Sequence, residues 1–394
     1  MDFDDTPEDA EWRARCSTWL EQNLPRLEEL STNPVERVKA WQAIKFDAGL
    51  AKITWGPDEG GRNGTEVQQI IFDQEHAKHR TPPDWLRVGL DFIAPTIRAH
   101  GTDRQRALHL RAALRGETIW CQMFSEPGAG SDVAGLSTSA VRDGDKWVIN
   151  GQKVWTSGAE IADFGEVLCR TDPDAPKHHG ITAFILDLKT PGVTVRPLRQ
   201  MTGTAEFTEI FLDEVRVPDE NVIGEVDEGW HVAVTTLMNE RRSLGSGGSS
   251  PSTLPRRLAE LGRRRGTLDA VTRQQLVNVY IQAELNRFLS LRNRTAALHG
   301  RRPGPEGSIG KLASTKFNVE AGNLAMKLLG ASGMAPDDED RRWMTRFLWG
   351  PGHRLGGGTD EVNRNVVAER VLGLPREPSD DDTVPWREIR RSVR

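Results

Sequence analysis

The texture of this 394-residue chain changes twice, near Ile119 and near Gly229, and those two changes restrict the folds it can adopt. Before Ile119 the residues favour helix. Glu66 to His79 and Arg104 to Leu114 carry helix formers with scattered apolar positions, and Trp55-Gly-Pro-Asp-Glu-Gly-Gly61 reads as a loop-rich interruption. From Ile119 the apolar residues fall into short β-type runs, each near Gly or Pro: Trp147–Ile149, Val154–Trp155, Thr182–Leu188, Val193–Leu198 and Glu209–Val217. Asn150-Gly151, between the first two, predicts a hairpin turn. After Gly229 helix returns, over Trp230 to Arg242, Thr272 to Leu298 and Ser308 to Leu329. The last places Ile309, Leu312, Ala313, Phe317, Ala321, Leu324 and Leu328 on one face, with Gly330 as its stop. Gly245 to Pro251 reads as a flexible stretch. The segment from Arg376, with Ser379-Asp-Asp-Asp382 and little apolar matter, reads as a mobile tail. The expectation is an α+β chain: helical over 1–118, β over 119–228, helical with a mobile tail over 229–394.

Composition narrows the class. Apolar and charged fractions of 37% and 28% are those of a soluble globular protein, and a net charge of −5 argues against nucleic acid as partner. Met1-Asp-Phe-Asp-Asp5 has no apolar run behind it, and no stretch has the length a membrane span needs. A cytoplasmic location is expected. Cys16, Cys121 and Cys169 are widely spaced, as for buried reduced thiols. His178-His179, in a Pro/Lys/Gly loop, is read as solvent-exposed, and no metal site is expected. Gly128-Ala-Gly-Ser-Asp-Val-Ala-Gly135 lacks the dinucleotide-fingerprint spacing and the βαβ context. Gly310-Lys311 is followed by Leu312 and preceded by Pro305, so there is no P-loop.

Two runs carry chemistry. Met123-Phe-Ser-Glu-Pro-Gly-Ala-Gly-Ser-Asp132 is a Gly-rich loop flanked by hydroxyls, which lets backbone N–H groups approach a polyanion. Lys153-Val-Trp-Thr-Ser157 offers an aromatic face and a hydroxyl to a planar heterocycle. Together they resemble the flavin-binding middle domain of the acyl-CoA dehydrogenase family. The resemblance continues through Met201–Phe207, Ile223–Trp230, Leu329-Gly-Ala-Ser-Gly333 and Gly356-Gly-Gly-Thr-Asp-Glu361. It implies an N-terminal helical domain, a middle β-barrel-like domain and a C-terminal four-helix bundle.

It also implies FAD. By resemblance Ser125 contacts the flavin ring with Gln122 and Phe124 flanking it, and Trp155 and Ser157 lie beside the ring. Gly130 and Ser131 reach the pyrophosphate, Ser131 also the substrate, and Gly330, Thr359 and Glu361 stand in cofactor-contacting loops. Removing an α-proton from a thioester needs a carboxylate base. Many members carry a Glu just before the Gly-Thr pair, where this chain has Gly357. Isovaleryl- and long-chain types supply it from a Leu-x-x-Glu-Arg run, here Leu237-Met-Asn-Glu240-Arg241. Glu240 is therefore the expected base, with Arg241 and Gly357 at the substrate; the alternative for Glu240-Arg241 is a helix-surface ion pair. The family's Arg-x-x-Phe-Gly, which contributes an arginine to a neighbouring subunit's flavin, is replaced by Gly262-Arg-Arg-Arg-Gly266, so Arg263, Arg264 and Arg265 are candidates for that arginine. The implied reaction is α,β-dehydrogenation of an acyl-CoA to a trans-2-enoyl-CoA, with an electron-transfer flavoprotein as acceptor. A homo-oligomer (dimer or tetramer) or a heterotetramer with a second such chain is implied. Alternatives are a flavin monooxygenase or oxidase on the same fold, or a non-catalytic partner subunit.

Overall fold

The structure, a computed structural model, describes residues 5–24, 31–245, 253–298, 304–379 and 381–389. They fall into two compact units. The larger takes in Glu11–Glu240 and the segment from Glu377; the smaller takes in Arg241–Arg376 and the start of the chain.

In the larger unit α1 (Pro7–Asn23), α2 (Pro34–Asp47) and α3 (Glu66–His76) bury Trp12, Cys16, Leu20, Trp41, Ile71 and Phe72 together. Thr65 starts α3 through a reciprocal cap: its hydroxyl accepts the Gln68 N–H, and the Gln68 side chain accepts the Thr65 N–H. Next come α4 (Ala94–His100) and α5 (Arg111–Arg115), each following a π-helical turn. Eight strands follow: β1 (Trp120–Met123), β2 (Ser139–Asp143), β3 (Lys146–Ser157), β4 (Phe164–Arg170), β5 (Ile181–Asp187), β6 (Val193–Leu198), β7 (Phe207–Pro218) and β8 (Val222–Ile223). Their order is β6-β7-β3-β2-β4-β5-β8, with β1 parallel to β4. β4 is covered on both faces, which suits its nearly continuous apolar run. Val167 and Cys169 join Trp147, Ile149 and Ile210 in one core, while Leu168 joins Ile93, Ile97 and Leu114 in another.

The expected hairpin at Asn150-Gly151 is not there. Both residues lie inside β3, where the register with β7 slips between Ile149 and Gly151. Gly151 presses on Thr138 so closely that a Cβ would come within 2.5 Å of the hydroxyl. The Asn150 amide group donates to the Glu214 carboxylate and accepts the Glu214 N–H, both at 2.8 Å. A bulge and a hairpin turn use the same residue types, so the dipeptide was ambiguous. The turn lies between β2 and β3, where Gly144 has φ +65°.

Part of the segment from Arg376, residues 381–389, also departs from the expected mobile tail. Residues 381–389 dock on the loop that joins β4 to β5. Pro385 bridges Pro176, the Trp386 N–H donates to Ala175 O at 2.9 Å, and the Lys177 N–H donates to Asp381 O at 3.1 Å. Main-chain pairing and the cations beneath it do here what apolar residues do elsewhere.

α6 (Gly229–Gly245) leads into the smaller unit, which contains α7 (Thr253–Arg265), α8 (Ala270–Leu298), α9 (Gly307–Leu329), α10 (Arg341–Leu355) and α11 (Asp360–Val366). Leu258, Leu261, Val279, Phe317, Ala321, Leu324, Leu328 and Trp343 form its core. The expected face of α9 holds from Phe317 onward. Earlier in the helix Ser308, Lys311 and Thr315 are the buried residues, because Lys311 Nζ and Thr315 Oγ1 both donate to His353 O. Along α8, Val277, Ile281, Leu285 and Phe288 form an exposed apolar stripe at helical spacing.

Candidate active site

The end of β3 holds an uncommon backbone conformation. A second register slip against β7 falls between Lys153 and Thr156, and within it Trp155 adopts φ +61°. A bulky residue in that region carries strain of about 1–3 kcal/mol, kept only where its surroundings over-determine it. The bulge leaves the indole 59% exposed, in a T-shaped contact with the Phe207 ring at 5.9 Å.

Lys153 supplies much of that constraint. It is fully buried in a β-strand, and its ammonium meets Glu126 Oε1 at 2.8 Å and Phe124 O at 3.2 Å. Glu126 in turn accepts the N–H groups of Ser137 (2.7 Å) and Thr138 (2.9 Å). Burial by itself raises the Glu126 carboxyl; the Lys153 charge and these hydrogen bonds outweigh it and hold it below the ordinary carboxylate range. The Val154 N–H donates to Ser125 O at 2.9 Å. Three successive residues of the loop, Phe124, Ser125 and Glu126, are thus stapled to the strand that carries Trp155. The hydroxyls of Ser125, Ser131 and Ser157 make no hydrogen bond among the described residues, Ser131 and Ser157 are exposed, and a Cβ at Gly128 or Gly130 would meet open space. Gln122 lies half-buried on β1, and Phe124 is buried.

Lys153 and Glu126 were not among the expected site residues, although both lie in the two runs that carry chemistry. Along β3 the buried positions Trp147, Ile149 and Lys153 share one parity. A lysine on an inward face needs a buried partner, and that was the available signal.

A second buried glutamate lies on β4, two strands from β3 in the sheet. Glu166 on β4 is fully buried, and the Thr236 hydroxyl donates to its oxygens at 2.9 and 3.1 Å. Thr96 on α4 reaches the same hydroxyl at 2.9 Å. Burial pushes the Glu166 carboxyl up to about 8, and the Thr236 hydrogen bond only partly opposes it. Glu240 stands one helical turn beyond Thr236 on α6 and is half-buried, as is Arg241 beside it.

The remaining predicted residues belong to the smaller unit. Thr359 is the N-cap of α11, its hydroxyl accepting the Val362 N–H at 3.2 Å. Gly357 and Gly358 both take positive φ, +67° and +83°, so glycine at 357 meets a backbone requirement. Asn363 Nδ2 donates to Gly358 O and Thr359 O, and Arg354 Nε donates to buried Asp360 at 2.9 Å. Glu361 turns to its own helix, pairing with Arg364 at 3.3 Å. Gly330 ends α9 at φ +57°. Arg264 and Arg265, two of the three candidate arginines, are committed to the fully buried Asp340; Arg263 forms no ion pair among the described residues.

His178, expected in solvent, is half-buried against the Trp230 ring at 4.9 Å; His179 is exposed. No group of ligands for a metal occurs among the described residues. The three cysteines are buried, and desolvation raises Cys121 and Cys169 to about 12.

Residues 6–117, 121–215 and 227–372 match in turn the N-terminal, middle and C-terminal domains of acyl-CoA dehydrogenase. Acyl-CoA dehydrogenase IpdE1 of Mycobacterium tuberculosis is 36% identical over 383 residues, covering 93% of this chain and 98% of that protein. The chain belongs to the acyl-CoA dehydrogenase family. Acyl-CoA dehydrogenase FadE34 of the same organism is 41% identical over 85% of this chain, which spans only 46% of that relative's length. Among solved structures, the Tcur3481-Tcur3483 steroid ACAD matches with a TM-score of 0.80 at 29% identity, over 96% of this chain and all of that one. The ChsE4-ChsE5 complex of M. tuberculosis matches with a TM-score of 0.76 at 29% identity, over 96% and 100%. The fold is thus the family's, with helical, β-sheet and helical domains in order, and the chain is an oxidoreductase by class. No helix among the described residues is long and apolar enough to cross a membrane.

Proposed function

We propose that this chain is an FAD-dependent dehydrogenase that converts a saturated acyl-CoA into its trans-2-enoyl-CoA and passes electrons to an electron-transfer flavoprotein. One observation carries the reading: the Lys153–Glu126 staple joins the Ser125 loop to the strained, exposed Trp155. An exposed indole, hydroxyls at Ser125, Ser131 and Ser157 that make no hydrogen bond among the described residues, and open space at Gly128 and Gly130 fit a planar heterocycle with a polyanionic tail. When bound, FAD supplies the hydride acceptor. Ser125, Trp155 and Ser157 would hold its ring, with Gln122 and Phe124 flanking. Gly130 and Ser131 would face its pyrophosphate, and Gly330, Thr359 and Glu361 would complete the cofactor contacts. Glu240 would take the α-proton, with Arg241 and Gly357 beside the acyl-CoA. The positive φ of Gly357 supports this assignment, since that backbone disfavours the carboxylate-bearing residue that many members place there.

The exposed apolar stripe on α8 supports assembly with another chain, a copy of itself or a second acyl-CoA dehydrogenase chain. Likeness to a structure named as a steroid ACAD and the absence of a side chain at Gly357 support a bulky or branched acyl group. The small side chains of Gly245–Ser249, soon after Glu240 in the chain, favour the same substrate class; from 246 onward they lie outside the described residues.

The test is to purify the chain alone, record its flavin absorbance and native mass, and assay butyryl-, octanoyl-, isobutyryl- and steroid-side-chain CoA thioesters anaerobically with a dye acceptor. A yellow dimer or tetramer that favours the bulky thioesters is expected. Best activity on butyryl-CoA refutes the substrate class. A colourless protein that gains FAD only with a second chain favours the paired complex over the homomer.

A further inference from the structure

Two cations connect the docked segment 381–389 to the loop that carries Ser131. Lys177 is nearly buried, and its ammonium lies between two carboxylates, Asp132 at 2.8 Å and Asp381 at 3.2 Å. Arg170, also buried, stacks under the Trp386 ring at 4.8 Å and donates to Ala134 O at 2.7 Å and Lys177 O at 3.1 Å. Each cation therefore has the docked segment on one side and the stretch 132–134, immediately after Ser131, on the other. Buried or partly buried cations hold such partners more firmly than surface pairs do, because water competes poorly for them.

We propose that residues 381–389 are a clamp that sets the position of the Ser131–Gly135 loop through Lys177 and Arg170, which makes Lys177 a positioning residue for the ligand of that loop. The part that concerns a ligand rests on the reading of Ser131 as a cofactor and substrate contact; the clamp itself does not. Its consequence is a division of labour. Losing the clamp weakens binding and leaves the proton-transfer step alone, since none of these residues is the proposed base.

The experiment is amide hydrogen exchange on the full chain, comparing the parent with Asp381→Asn, Trp386→Ala, Lys177→Gln and the Lys177→Gln/Asp381→Asn pair. Exchange over 131–135 is expected to rise about tenfold in each single variant, as a local opening becomes easier, while Phe207–Pro218 in β7 keeps its protection. The double variant is expected to match Lys177→Gln alone, because both changes act through one contact. Unchanged exchange at 131–135 overturns the clamp, as does a rise spread evenly through the larger unit. In parallel, FAD affinity and KM for acyl-CoA are expected to weaken about three- to tenfold with kcat within about twofold, the pattern of lost ground-state binding. A looser loop with unaltered FAD affinity and KM leaves the clamp standing and removes the role assigned to Ser131.

Discussion

Glu126 and Glu166 are buried in the same unit, one beside β3 and the other on β4, and they differ in protonation: one is ionised, the other neutral. Glu126 meets a buried lysine and two backbone N–H groups and stays ionised. Among the described residues Glu166 hydrogen-bonds only to a threonine hydroxyl, and burial keeps it protonated up to about pH 8. The partner, more than the depth of burial, decides the charge. Neither arrangement makes a general base: the first is saturated with donors, and the second already holds its proton at neutral pH. Half-buried Glu240, on α6 beyond Thr236, differs from both.

Lys153 is where the two glutamates are most strongly told apart. Lys153→Met leaves an ionised Glu126 buried without its cation, and a loss of about 3–5 kcal/mol is expected in urea denaturation. Adding Glu126→Gln to that variant is expected to recover much of the loss. A single variant as stable as the parent would show that Glu126 is not held as an anion.

Glu166 should give an effect of a different kind, absent at low pH and growing with pH. Its carboxyl has an ordinary value of 4.5 and a folded value of about 8, so between these the folded chain keeps a proton that the unfolded chain has released. Stability must then fall as pH rises through that interval, by at most about 1.4 kcal/mol per pH unit from this one group. Glu166→Gln mimics the protonated side chain. It is expected to flatten the decline between about pH 5 and 8 and to be more stable than the parent at pH 8, by denaturation at both pH values. An unchanged slope contradicts a neutral Glu166.

The smallest effect is expected at Gly357. Gly357→Glu puts a side chain at φ +67°, at a strain of about 1–2 kcal/mol. In a Glu240→Gln background it is expected to restore only part of the flavin reduction rate. Full recovery would mean that the loop relaxes at no expense, and none would mean that position 357 does not reach the substrate.

The order of helical and β regions was legible because hydrophobic periodicity itself changes at their borders, and the site runs were legible because Gly, Trp and Ser sit at close spacing in them. Contacts between distant residues were not. Lys153 reaches Glu126 across 27 positions and Lys177 reaches Asp381 across 204, and neither pairing leaves a trace in periodicity. Asn150-Gly151 misled for another reason: the same backbone freedom serves a bulge as well as a turn. The docked segment misled because main-chain pairing needs no apolar composition.

Glu240 is the proposed acceptor of the α-proton. Glu240→Gln keeps size and most hydrogen bonding while abolishing the proton acceptor, so FAD should remain bound. Anaerobic stopped-flow mixing with a turned-over acyl-CoA is expected to show flavin reduction slowed about 10²–10⁴-fold or more. Reduction at the parent rate would contradict the account and leave Glu240 as a helix-surface partner of Arg241.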